Sequence, residues 1–155
     1  MDLDTGLAVE DRRMIADGLS RLLADTYTLY IKTHGYHWNV TGPMFRSLHL
    51  MFEEQYMDLR DAADLVAERI RALGHRAPGS AKEFGALSSV SDGGGTSDAM
   101  DMVRDLVAGH EAVIRTARGV VKTAEAAGDV ATADLATQRI DIHEKTAWML
   151  RATAS

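Results

Sequence analysis
The chain has no cysteine, two prolines and only 6% aromatic residues. Without thiols it can form no disulfide, no thiolate zinc site and no iron–sulfur cluster, so any metal it binds is held by nitrogen and oxygen. Scarce proline, few β-branched runs and abundant Ala, Leu, Met, Arg and Glu favour helix over strand. No apolar run approaches the roughly 20 residues of a membrane span, and the acidic opening MDLDTGLAVEDRR is not a signal peptide. A cytoplasmic location without membrane contact is the expectation. Positive charge is also sparse. Residues 1–13 set Asp2, Asp4, Glu10 and Asp11 against Arg12 and Arg13, the first lysine is Lys32, and the net charge is −6. Several familiar motifs are missing as well: no Walker loop, no Gly-x-Gly-x-x-Gly, no zincin motif, and no glutamate followed three residues later by histidine. The last absence removes the usual metal site inside a helical bundle, whose interior is therefore expected to be apolar.

What is present is helical periodicity. At 155 residues, with 46% hydrophobic and 26% charged, the chain reads as one domain over 1–155 with a real core. A first helix is expected from Val9 to Val40, with Leu19, Leu22, Leu23, Tyr27 and Tyr30 at helical spacing. Thr41-Gly42-Pro43 turns the chain into a second, Met44 to Leu73, closed by Gly74. The connection from His75 to Thr96 holds one short helix near Ser80 to Leu87 and the flexible Ser91 to Gly95. It is too long for a hairpin and is expected to run from one end of the bundle to the other. Helices from Ser97 to Ala127 and from Asp129 to about Thr153 complete an all-α, ferritin-like four-helix bundle with a short helix in the long crossover.

The second helix carries the chemistry. His49 and Glu53 are four residues apart, as are Asp64 and Glu68, so each pair lies on one face, one turn apart. Imidazole with carboxylate suits iron-type metals. The pairs are separated by 15 residues, roughly 22 Å along a helix, which one ion cannot bridge. Fifteen steps of about 100° leave them about 60° apart around the axis, along one side. A two-fold axis near Asp58 and Leu59 would set His49 and Glu53 of one chain against Asp64 and Glu68 of another, giving two identical sites at a dimer interface.

The run His37-Trp38-Asn39-Val40-Thr41-Gly42-Pro43-x-Phe45-x-x-Leu48-His49-x-x-Phe52-Glu53, with Asp64-x-Val66-Ala67-Glu68-Arg69-Ile70, resembles the Dps family, the mini-ferritins named for DNA protection in starved cells. Asp134-Leu135, Arg139-Ile140, His143-Glu144-Lys145 and Trp148-Met149-Leu150 are similar to its last helix. The resemblance implies a hollow dodecamer that oxidises Fe(II) at inter-subunit sites, with hydrogen peroxide as the preferred oxidant and oxygen as the other, and stores ferric oxide inside. It implies His37, His49 and Glu53 from one chain and Asp64 and Glu68 from its mate as iron ligands. Glu53 stands where the family often has Asp, keeping the charge with a longer reach.

Other candidates keep two readings. Trp38 is a secondary electron donor or a large packing residue. Glu54, Asp58 and Asp61 line an iron-nucleating cavity or form a solvated face. Asp129 and Asp134 match the family's acidic three-fold pores for incoming iron, though capping suffices for Asp129. His34 is expected to play a structural or supporting part beside His37, and His75, His110 and His143 to lie at the surface or bundle edge. The functional reading is a ferroxidase and iron store. The alternative, a nucleoid-associated protein that binds and protects DNA, is disfavoured because the acidic charge, summed over twelve chains, repels phosphate.

Overall fold
A computed structural model describes all 155 residues. Five helices follow in order: α1 (Val9–Asn39), α2 (Phe45–Ala72), the short α3 (Ala81–Leu87), α4 (Ala99–Ala127) and α5 (Val130–Ala154). There are no strands, and the fold is the ferritin-like bundle. The ends are set by local chemistry. The side chains of Ser80, Asp98 and Asp129 each accept a hydrogen bond from the amide three residues on, satisfying donors that a helix start leaves unpaired. Gly74 and Gly128 take positive φ at the two helix exits, a conformation that side chains with a Cβ resist.

Ile15, Leu19, Leu22, Phe52, Leu59, Val66, Leu106 and Val113 are fully buried in one continuous core where α1 packs on α2 and α4, and α4 on α5. The crossover runs the length of α1. It leaves α2 where Arg12 reaches the Leu73 carbonyl, stacks Phe84 on Tyr27, ties Ser88 and Ser89 to Asp25, and brings Gly93 against Tyr36. Those contacts climb α1 from its first turns to its last.

The interior is not apolar, in contrast to the expectation. Asp25, Lys32, Gln55, His110, Arg139 and His143 are all buried. Most of these groups survive burial because they have partners. Asp25 accepts from the Ser89 amide and three hydroxyls, and Lys32 pairs with Asp105 at 3.1 Å. His110 and His143 are 2% and 0% exposed, so the placement at the surface or bundle edge is corrected. Each lies on the inward stripe of its own helix and their rings meet, which no spacing within either helix could indicate.

Several large apolar side chains remain outside. Trp38 is 63%, Leu65 57% and Trp148 59% exposed, so this chain's own core does not account for them.

Candidate metal site
The last turn of α1 and the first turns of α2 meet across the Thr41-Gly42-Pro43 turn, which brings His37 and His49 together. Their rings stack with centroids 3.8 Å apart and planes inclined by 13°. Each Nδ1 lies 2.7 Å from the other residue's backbone carbonyl. A carbonyl only accepts, so both Nδ1 atoms carry hydrogen and donate. In the neutral imidazole this leaves the lone pair on Nε2, on both rings, the arrangement a metal-binding histidine requires. His49 also closes α1, because the carbonyl it holds is one that the helix end would leave unpaired.

Glu53 lies one turn beyond His49 on the same face, half-buried, and makes no ion pair. Asp64 and Glu68 are exposed on the far half of α2, also unpaired, and Leu65 between them is one of the exposed apolar side chains. No three histidine or acidic side chains of one chain converge closely enough to hold a metal. A single chain presents two separate parts: imidazoles with Glu53 at one end of α2, carboxylates at the other.

Aromatic rings surround the imidazoles. His34 lies between Trp38 and Tyr56, with centroids 4.1 and 4.3 Å away, and Tyr56 reaches to 5.1 Å from His37. Tyr56 escaped the sequence reading, although it stands seven residues after His49 and so shares its helical face. Trp38 packs on His34 and is otherwise open.

The remaining acidic candidates divide. Glu54 and Asp61 are exposed, and Asp61 meets only Arg60. Asp58 is engaged by Arg139 through two hydrogen bonds of 3.1 and 2.8 Å. Asp134 is exposed. Asp129, expected beside it at a pore, is buried against Thr132 and Arg69, which lies 3.0 Å away. Burial works to raise its pKa, but the Thr132 and Arg69 hydrogen bonds outweigh that and hold it lowered. Its carboxylate is committed to joining α2 to the start of α5.

The ferritin-like domain family matches residues 16–155. The "DNA protection during starvation protein 2" of Bacillus anthracis is 33% identical over 140 residues, covering 90% of this chain and 96% of that one. The crystal structure of the Dps protein from Vibrio cholerae superposes with a TM-score of 0.95 at 32% identity, covering 100% of this chain and 98% of the other. The chain belongs to the Dps family of ferritin-like proteins. The chain is also similar to a low temperature-induced protein of Nostoc sp., 41% identical over 152 residues, covering 97% of this chain and 85% of that protein. The Dps from Vibrio cholerae is described as one of a broad superfamily of ferritin-like diiron-carboxylate proteins.

Proposed function
We propose that this Dps-family chain is a ferroxidase and iron store, in which Fe(II) is bound and oxidised between chains related by a two-fold axis. The observation that carries the reading is the reciprocal pair of Nδ1 hydrogen bonds, which fixes two neighbouring imidazoles with both Nε2 lone pairs available. His37, His49 and Glu53 of one chain would hold Fe(II) together with Asp64 and Glu68 of the second. Exposed Leu65, flanked by those two carboxylates, supports a second copy lying over this stretch of α2. A closed shell of twelve chains is the assembly we propose.

The chemistry follows from charge. Carboxylates stabilise Fe(III) over Fe(II), lowering the potential of the couple, while imidazoles retain Fe(II). Hydrogen peroxide needs two electrons, so two Fe(II), one peroxide and two protons give two Fe(III) and two waters. Delivering both electrons from iron avoids hydroxyl radical, which is the protective part of the function. Trp38, held against His34, would give the second electron when only one iron is bound. Asp134 remains the candidate for admitting iron, and Glu54 with Asp61 for nucleating ferric oxide. The acidic charge of −6 per chain argues against DNA as a direct partner.

Complementation tests the shared site. A His37→Ala/His49→Ala chain and an Asp64→Ala/Glu68→Ala chain are each expected to oxidise Fe(II) poorly. Unfolded together and reassembled at equal concentration, random pairing restores about one site in four, because a mixed dimer joins intact histidines to intact carboxylates once. Verified mixed dimers that recover no activity would rule out a site shared between chains.

A further inference from the structure
Residues of α2, α4 and α5 line a cavity of about 560 Å³ that contains none of the proposed iron ligands and meets the iron reading only at Glu54, on its wall. Two of its lining side chains, His110 and Gln55, are buried with polar atoms that find no hydrogen-bond partner: Nε2 of His110, and both Nε2 and Oε1 of Gln55. Buried polar groups without partners are uncommon in folded proteins, and here they belong to two residues that line one cavity.

The proton arrangement behind His110 can be followed atom by atom. Arg139 is anchored by Asp58 and donates from Nη2 to His143 Nε2 at 3.2 Å, so that nitrogen carries a lone pair. Burial, reinforced by the charge of Arg139, holds the His143 pKa well below the ordinary value, which keeps the ring neutral. Its one hydrogen is then on Nδ1 and is donated to His110 Nδ1, 2.8 Å away. Neutral His110 is left with hydrogen on Nε2, the atom for which the protein supplies no acceptor. Binding a cation there would reverse both rings and set a His143 N–H against the Arg139 guanidinium, which cannot accept. The site therefore seeks an acceptor. An anion is also poorly matched, since Glu54 and Asp141 stand at the cavity against the single Lys145, while Asp58 is neutralised by Arg139. Leu50, Met51 and Met149 supply apolar wall.

We infer that this cavity binds a small uncharged molecule whose carbonyl or hydroxyl oxygen accepts from His110 Nε2–H and the Gln55 amide, with an apolar body against Leu50, Met51 and Met149. Such sites combine apolar lining with a few fixed polar groups that orient the ligand.

Cyclohexanone, cyclohexanecarboxylate and cyclohexylammonium share one apolar body and differ in charge. Titrated into the assembled, full-length, iron-free protein and followed by ligand-observed NMR, the ketone is expected to bind saturably and the two ions at least about tenfold more weakly. Gln55→Leu, which keeps the side-chain volume, is expected to weaken the ketone by about fivefold, the effect of one neutral hydrogen bond. Should that variant fold poorly, Gln55→Met serves the same purpose. Nitrogen-15 spectra of histidine-labelled wild-type protein give an independent readout, with hydrogen expected on Nε2 of His110 and Nδ1 of His143. The inference is overturned by a cavity that takes water but no ketone, by an ion that binds as tightly as the ketone, by a Gln55 variant with unchanged ketone affinity, or by the opposite tautomers. Each of these readings is independent of Fe(II) oxidation.

Discussion
Two histidine pairs sit in this bundle, and the partners of their ring nitrogens set them apart. His37 and His49 each donate Nδ1–H to a backbone carbonyl, so both Nε2 lone pairs are left over. His110 and His143 hydrogen-bond to each other, and Arg139 occupies the remaining lone pair of His143. The first pair can ligate and the second cannot without rearranging. Residue type is identical in the two places; the neighbouring acceptors and the guanidinium decide the chemistry. Electrostatics separates them further. Burial pushes His110 down to about 4, with Arg139 adding to it and Asp58 opposing it, so the inner pair is neutral under ordinary conditions.

The sharpest way to break the comparison is to remove each pair in turn. His37→Ala with His49→Ala is expected to lower the Fe(II) oxidation rate by about 100-fold or more, because the proposed site would lose both imidazoles. His110→Leu with His143→Leu should leave the rate per assembled particle within about twofold. Stopped-flow oxidation of particles isolated by size measures both, and equal losses would erase the distinction drawn between the pairs.

Acid gives the next largest effect. The folded His110 value of about 4 lies below the ordinary 6.5, so the unfolded chain takes up the proton first. Stability from the neutral inner pair is complete above pH 6.5 and is lost as pH falls towards 4, by roughly 3 kcal/mol for this one group. His143, also lowered, adds in the same direction. Thermal unfolding at fixed protein concentration between pH 7 and 4 should show this slope in the wild type and a shallower one in the double leucine variant. Parallel slopes would mean that the inner pair does not bury neutral.

Asp129 and Asp134 extend the contrast from imidazoles to carboxylates. Asp129→Ala removes a helix cap and the partner of Arg69, and is expected to cost about 1–2 kcal/mol in chemical denaturation. Asp134→Ala, at an exposed position, should leave stability within about 0.5 kcal/mol and instead slow iron uptake into the particle. A slower uptake with Asp129→Ala and none with Asp134→Ala would reverse the assignment.

The smallest expected effect is on DNA. At neutral pH and moderate salt, linear duplex should show no retardation by the assembled protein in a gel, given the net charge of −6 per chain. Binding that weakens steeply with added salt would point to a cationic surface that the net charge conceals.

Helix positions, their caps and the crossover follow from local rules. Asp98, Asp129 and Ser80 cap because their side chains reach an amide three residues away, and Gly74 and Gly128 end helices because they accept positive φ. Such interactions span a few residues, so the sequence by itself determined them, as it did the helical register of His49 with Glu53 and of Asp64 with Glu68. Tyr56 was within reach of the same reasoning, being on the face of His49. Tertiary structure alone decided where Nδ1 of His37 finds its acceptor, 12 residues away across a turn, and that His110 and His143, 33 residues apart, share a hydrogen bond inside the bundle. Asp129 shows both levels at once: its cap is local, but its burial depends on Arg69, 60 residues earlier. A spacing rule describes one helix at a time, whereas the protonation state of a buried ring depends on whatever the other helices bring against it.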